Sequence, residues 1–221
     1  MNLHDSGLSL VWSLLGFGLY LPVLVWALKT APWHKISDKP SQHVFLGATV
    51  IVFLTWNSVA SIGPGLGFHL LLAALVTLMF GAQFALMSLS IALLGISILG
   101  SAGWMAFGLN ALIMAVIPVL VVWRIAVWSY QALERNFFVF ILLNGFLAAS
   151  ISVIAASAVA ALVMAQSGLY TLEVLERSFI PYIPLIAIPE GFVNGVLILA
   201  LVIMKPQWVS CFTDEQYLKG K

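Results

Sequence analysis

Histidines and one carboxylate inside an apolar run are the side chains of this chain with most to offer chemically. The stretch Ser61-Ile62-Gly63-Pro64-Gly65-Leu66-Gly67-Phe68-His69-Leu70-Leu71-Leu72 is a Gly/Pro-rich turn that delivers one histidine onto the expected first turn of an apolar helix. A desolvated imidazole needs a partner, so His69 either holds structure together or binds something. His4 and Asp5 lie side by side near the amino terminus, while His34 and His43 sit among Lys35, Lys39 and Pro40 and read as solvated loop residues. Glu190 lies in Ile188-Pro189-Glu190-Gly191-Phe192-Val193-Asn194-Gly195. An acidic residue at mid-helix in a membrane costs about 2.5–3.5 kcal/mol, so it must pair, protonate or line a polar cavity. Two readings stand: a proline-kinked helix with Glu190 bonded to an Asn or to backbone of a neighbour, or a place on a substrate path. Asn57, Asn110 and Asn144 are amides able to cross-link helices, and Asn57 is also a path candidate.

The elements that must position these residues are membrane spans. Hydrophobic residues make up 62% of the 221, and charged ones only 8%; mean hydropathy is +1.11. That composition excludes a soluble domain, and a net charge of +1 without a basic face excludes nucleic-acid binding. A single cysteine, Cys211, excludes an internal disulfide framework and a Cys-rich metal site. Seven apolar runs are expected to cross the bilayer: Leu8 to Leu28, Val44 to Ile62, Gly67 to Phe80, Phe84 to Leu99, Met105 to Trp128, Phe137 to Ala165, and Phe179 to Met204. The third and fourth are short and separated only by Gly81-Ala82-Gln83, as in a tight hairpin or a partly re-entrant pair. The fold class is therefore an all-α integral membrane bundle. The opening Met-Asn-Leu-His-Asp-Ser-Gly has no positive n-region and no small-residue cleavage site, so residue 1 is expected to stay.

Charge orients the bundle. With the amino terminus outside, inner segments hold Lys29, Lys35, Lys39, Arg124, Arg135, Lys205, Lys219 and Lys221, and outer segments only Arg177. His4, Asp5 and the turn before His69 then share the outer side, and the carboxyl terminus lies inside. Trp33, Trp104, Trp128, Tyr130, Tyr170 and Trp208 fall near span ends as interfacial anchors. The sixth span carries a small-residue face, Ala148-Ala149-Ser150 through Ala160-Ala161, for internal packing or for docking a partner subunit. No phosphate-binding loop, HExxH zinc motif, pair of intramembrane Asp or GxSxG elbow is present. A binding or transport protein, not an enzyme, is the class left.

A resemblance rests on Met1-Asn2-Leu3-His4-Asp5-Ser6-Gly7-Leu8-Ser9, the Gly-rich approach to His69-Leu70-Leu71, Leu78-Met79-Phe80-Gly81 and Leu109-Asn110-Ala111. It continues through Asn136-Phe137-Phe138 to Asn144-Gly145, Pro189-Glu190-Gly191-Phe192-Val193-Asn194-Gly195 and Pro206-Gln207-Trp208-Val209. In order and spacing these resemble the CbiM/NikM-type family, substrate-specific membrane subunits of energy-coupling-factor ABC transporters for cobalt and nickel. The resemblance implies seven transmembrane helices with the amino terminus folded back into the bundle as part of a metal site. It implies as donors the amino group of Met1, the next residue's backbone nitrogen and imidazole, and a second imidazole that His69 matches. Such a mostly nitrogen, near-planar arrangement suits Ni(II). Here the chain departs from the family, whose amino terminus reads Met-His-Ile-Pro-Asp-Gly: Asn2 stands at the histidine position and His4 at the proline. If His4 substitutes, a tetrahedral set of His4, His69, Asp5 and the amino group would suit Zn(II) equally.

The expectation is thus a multi-pass inner-membrane permease subunit for a divalent nickel, cobalt or zinc ion captured from outside. Met1, His4 and His69 are the expected donors, Asp5 is a ligand or orients an imidazole, and Asn2, Asn57 and Glu190 lie near the path. The metal is cargo, and no resident cofactor is expected. Residues 1–209 form one transmembrane domain and 210–221 a short cytoplasmic tail. Separate ATPase subunits and a coupling membrane subunit, implied by the resemblance, would supply the energy. The alternatives are a subunit of the same architecture for a non-metal solute, and a non-transporting scaffold or sensor.

Overall fold

Long apolar runs make long helices in this chain, and the stretch between residues 58 and 72, rich in Gly and Ser, interrupts them. The computed structural model describes residues 2–63 and 66–217. Met1, expected as a donor, lies outside the described residues, as do Pro64 and Gly65 of the turn and Lys219 and Lys221 of the tail. Helix α1 is Leu10–Thr30 and α2 is Lys39–Asn57. The α2 start is set locally: Asp38 accepts the Ser41 N–H at 3.1 Å and Pro40 occupies the first turn, where its missing N–H costs nothing. Strands β1, Ala60–Gly63, and β2, Leu66–Phe68, pair antiparallel with Ala60 opposite Phe68 and an irregularity between Ser61 and Gly63. Then follow α3, Ala73–Phe80, and α4, Ala82–Ile98. Helix α5, Phe107–Ala132, contains a π turn at Leu112–Val116, and α6, Phe137–Gln166, another at Phe140–Leu147. Short α7, Leu172–Ser178, leads through a 3-10 turn to α8, Ile183–Met204, and α9 is Asp214–Tyr217.

Two expected spans take a different form. The second was expected to run to Ile62, but α2 ends at Asn57, because the residues that follow pair as a hairpin from Ala60 onward. The third was expected as a helix from Gly67 with His69 on its first turn. Instead β2 is followed by four non-helical residues, and helix begins only at Ala73. At eight residues and about 1.5 Å per residue, α3 is roughly 12 Å long and cannot cross a bilayer alone. Four helices, Leu10–Thr30, Phe107–Ala132, Phe137–Gln166 and Leu172–Met204, are long and apolar enough to do so by length and composition. The exterior is apolar as well, with Leu14 on α1, Leu46 and Leu54 on α2 and Leu185, Ile188 and Phe192 on α8 exposed, as suits a multi-pass protein in lipid.

Buried α3 is the axis of the bundle, touching α4, α5, α6 and α8. The small-residue face of α6 packs inward, as by default it should: a Cβ at Gly191 of α8 would strike Ser150, and one at Gly195 the Phe146 ring. One end of the bundle gathers residues 2–6, the β hairpin and the loops around Ser101 and Tyr170. The opposite end gathers Lys35, Phe80 and the segment after α8. There the backbone N–H of Ser210 donates to the Met79 carbonyl at 2.9 Å and that of Cys211 to Leu78 at 3.2 Å, so this segment straps the end of α3.

Candidate metal-binding site

The amino-terminal segment is held in place by side chains that read its backbone. Asn110 on α5, fully buried, accepts the Leu3 N–H at 2.8 Å and donates to the Leu3 carbonyl at 2.9 Å. Asp5 accepts the Trp104 N–H on Oδ2 and the Ala106 N–H on Oδ1, both at 3.0 Å. Gly103 must be a glycine for this to happen, since a Cβ there would collide with the Asp5 backbone and carboxylate. Between these two anchors the chain folds back over the bundle and lowers Asn2 onto His69.

His69 is 2% exposed. Its Nε2 lies 3.0 Å from Asn2 Oδ1 and its Nδ1 3.3 Å from the Leu70 carbonyl, while the Asn2 amide nitrogen donates to the Ser101 carbonyl at 3.1 Å. A neutral imidazole carries one N–H, so the two oxygens cannot both be served at once. With the proton on Nε2 the ring donates to the Asn2 oxygen; with it on Nδ1 the ring donates to Leu70 and presents the Nε2 lone pair to Asn2. Trp56 closes one side, its ring centroid 5.4 Å from that of His69 and its indole N–H donating to the Leu71 carbonyl at 3.1 Å.

Glu190 sits directly behind this loop. Its Oε2 accepts the Leu71 N–H at 2.7 Å and its Oε1 the Leu72 N–H at 2.9 Å. Asn194, one turn along α8, donates to Oε1 at 2.9 Å and accepts the Leu75 N–H at 2.8 Å. The carboxylate thus caps the N-terminus of α3, where unpaired N–H groups and the helix dipole favour negative charge. This is the reading of Glu190 bonded to backbone and an Asn.

The structure therefore brings Asn2 and His69 together, with Glu190 behind them. His4 is exposed and, with Asn2, lines two small cavities of about 270 and 230 Å³. Both Asp5 oxygens are engaged by backbone, and Asn57 bonds its own helix at an exposed position away from His69. Among the described residues no group of three or more His, Cys, Asp or Glu is placed to hold a metal ion. Sequence reasoning missed Trp56 and Asn194 and took Asn110 for an interhelical amide. For Asn194 the signal was there, because spacing of four from Glu190 puts both on one helix face.

A buried imidazole is thus met by the amino-terminal segment, folded back over an apolar helical bundle. The sequence matches the family model for the cobalt uptake substrate-specific transmembrane region, CbiM, over residues 2–208, and the chain belongs to that family. It is thereby a multi-pass membrane component of metal uptake, a transport protein and not an enzyme by family. No curated protein matches the sequence significantly. Among solved structures, the crystal structure of a truncated transition metal transporter superposes with a TM-score of 0.79 at 21% identity, covering 92% of this chain and 99% of that one. A second transition metal transporter structure gives 0.78 at 21% identity, covering 91% and 92%. At that identity the likeness speaks for the fold.

Proposed function

We propose that the chain is the substrate-binding and translocating permease subunit for a divalent transition-metal ion, taken up from the outer side of the inner membrane. The observation that carries this is the 3.0 Å approach of Asn2 Oδ1 to His69 Nε2 beneath an exposed cleft. An imidazole nitrogen beside an amide oxygen is a donor pair that suits a borderline divalent ion such as nickel, cobalt or zinc. Met1 is the natural further donor through its amino group, and His4 at the mouth meets the ion on its way in. Asp5 then serves by fixing the segment and not as a ligand.

In this reading the chain makes seven passages with the amino terminus outside and the carboxyl terminus inside. The third is composite: β2, the four residues from His69 and α3 run in succession from the cleft to the strap. Non-helical backbone at membrane depth is tolerable because protein buries it. Residues 1–209 act as one domain, 210–221 as an inner tail. Separate ATPase subunits and a coupling membrane subunit drive release inside, since the chain has no phosphate-binding loop of its own. The test is metal content by mass spectrometry on detergent-purified protein with an untagged amino terminus, after loading with Ni, Co and Zn, beside His69→Ala. Near-stoichiometric nickel or cobalt lost in the variant is the expected result. Absence of metal from both would overturn the proposal and favour a non-metal solute in the same architecture.

A further inference from the structure

The four residues from His69 to Leu72 do not hold their shape by themselves. Leu72 has φ 55°, a left-handed conformation that a leucine adopts only when its surroundings impose it. What imposes it is on other helices: the Leu71 and Leu72 N–H groups end on the Glu190 carboxylate of α8, and the Leu71 carbonyl on Trp56 of α2. The opposite end of α3 is also tied to α8, through the strap that continues it to Ser210 and Cys211. The His69 ring therefore takes its position from α8 at both ends of α3.

We infer that Glu190, steadied by Asn194, is the positioning residue that sets His69 against Asn2, and that it governs cargo affinity without touching the ion. The inference rests on the reading of His69 as a donor. A carboxylate serves both loop N–H groups, whereas an amide of the same size offers one oxygen and turns an N–H toward the other. Loss of either bond lets residues 70–72 relax, and donors that must stay 3.0 Å apart drift out of register.

The experiment is Co(II) titration of the full chain in detergent for wild type, Glu190→Gln and Asn194→Ala, with imidazole ¹⁵N spectra of His69, assigned with His69→Ala, recorded without metal. We expect Co(II) affinity to fall about tenfold or more in Glu190→Gln and less in Asn194→Ala, as when partners behind a ligand are removed, with the His69 resonances shifted in both. Unchanged affinity and unchanged resonances in a folded Glu190→Gln protein would overturn the proposal, even if its thermal stability falls. Should Glu190→Gln not fold, Asn194→Ala decides by the same two readouts. If wild type binds no Co(II), the metal reading fails by itself, and the His69 spectra still decide whether Glu190 positions the ring.

Discussion

Glu190 and His69 lie in the same apolar interior, joined through the Leu71–Leu72 backbone, yet their polar atoms are engaged very differently. The carboxylate receives N–H groups from Leu71, Leu72 and Asn194 at 2.7 to 2.9 Å. The imidazole faces two oxygens with one proton to give, at 3.0 and 3.3 Å. A buried group whose valences are filled is a structural device, because moving it strands its partners. One that leaves a lone pair facing another electron-rich atom is open to a cation. Burial alone made both residues conspicuous; the completeness of their bonding separates them.

Four substitutions would break or sharpen that contrast. The largest effect belongs to His69→Ala, which should weaken cobalt binding by on the order of 100-fold or more, measured by equilibrium titration. It should leave thermal unfolding in detergent nearly unchanged. Glu190→Ala should cost stability first and affinity as a consequence. It strands two buried N–H groups at about 1–3 kcal/mol each and so lowers stability by roughly 2–6 kcal/mol, read by chemical unfolding followed through tryptophan fluorescence, and it lowers cobalt affinity at least as far as Glu190→Gln does. A loss under about 1 kcal/mol would show that the carboxylate is not the cap. Asn2→Ala should cost about tenfold in cobalt affinity with little change in melting temperature, and an unchanged affinity would remove Asn2 from the site. Asn57→Ala marks the floor, because that amide only bonds its own helix at an exposed position. Stability and uptake should stay within about 0.5 kcal/mol of wild type, and a larger change would return Asn57 to the path.

The long helices were legible because hydropathy is a local property. Expected spans from Leu8, Met105 and Phe137 fall within a few residues of α1, α5 and α6. The region around His69 was not legible in the same way. Its Gly and Pro residues announced a turn, but the late start of α3 and the left-handed Leu72 go with bonds to Glu190, which is 119 positions from Leu71 along the chain. Hydropathy averages cannot register a bond of that span, and the leucines of the loop read as helix because nothing local forbids it. Asn2 shows the opposite case. The resemblance put residue 2 of the family near His69 but led the sequence reading to His4 as the displaced donor, while the side chains that hold Asn2 there, Asn110 and Asp5, act on backbone and leave no pattern of spacing.

The strap beyond α8 has a consequence for how the molecule is made. The α3 region is synthesised early, yet the groups that satisfy its two ends, Glu190 and Asn194 at one and the backbone of Ser210 and Cys211 at the other, emerge from the ribosome last. Until they arrive, the Leu71, Leu72 and Leu75 N–H groups and the Leu78 and Met79 carbonyls lack the partners that lipid cannot replace. The segment therefore lacks these partners while four further segments are made. The surroundings of His69 are completed only when biosynthesis is nearly over.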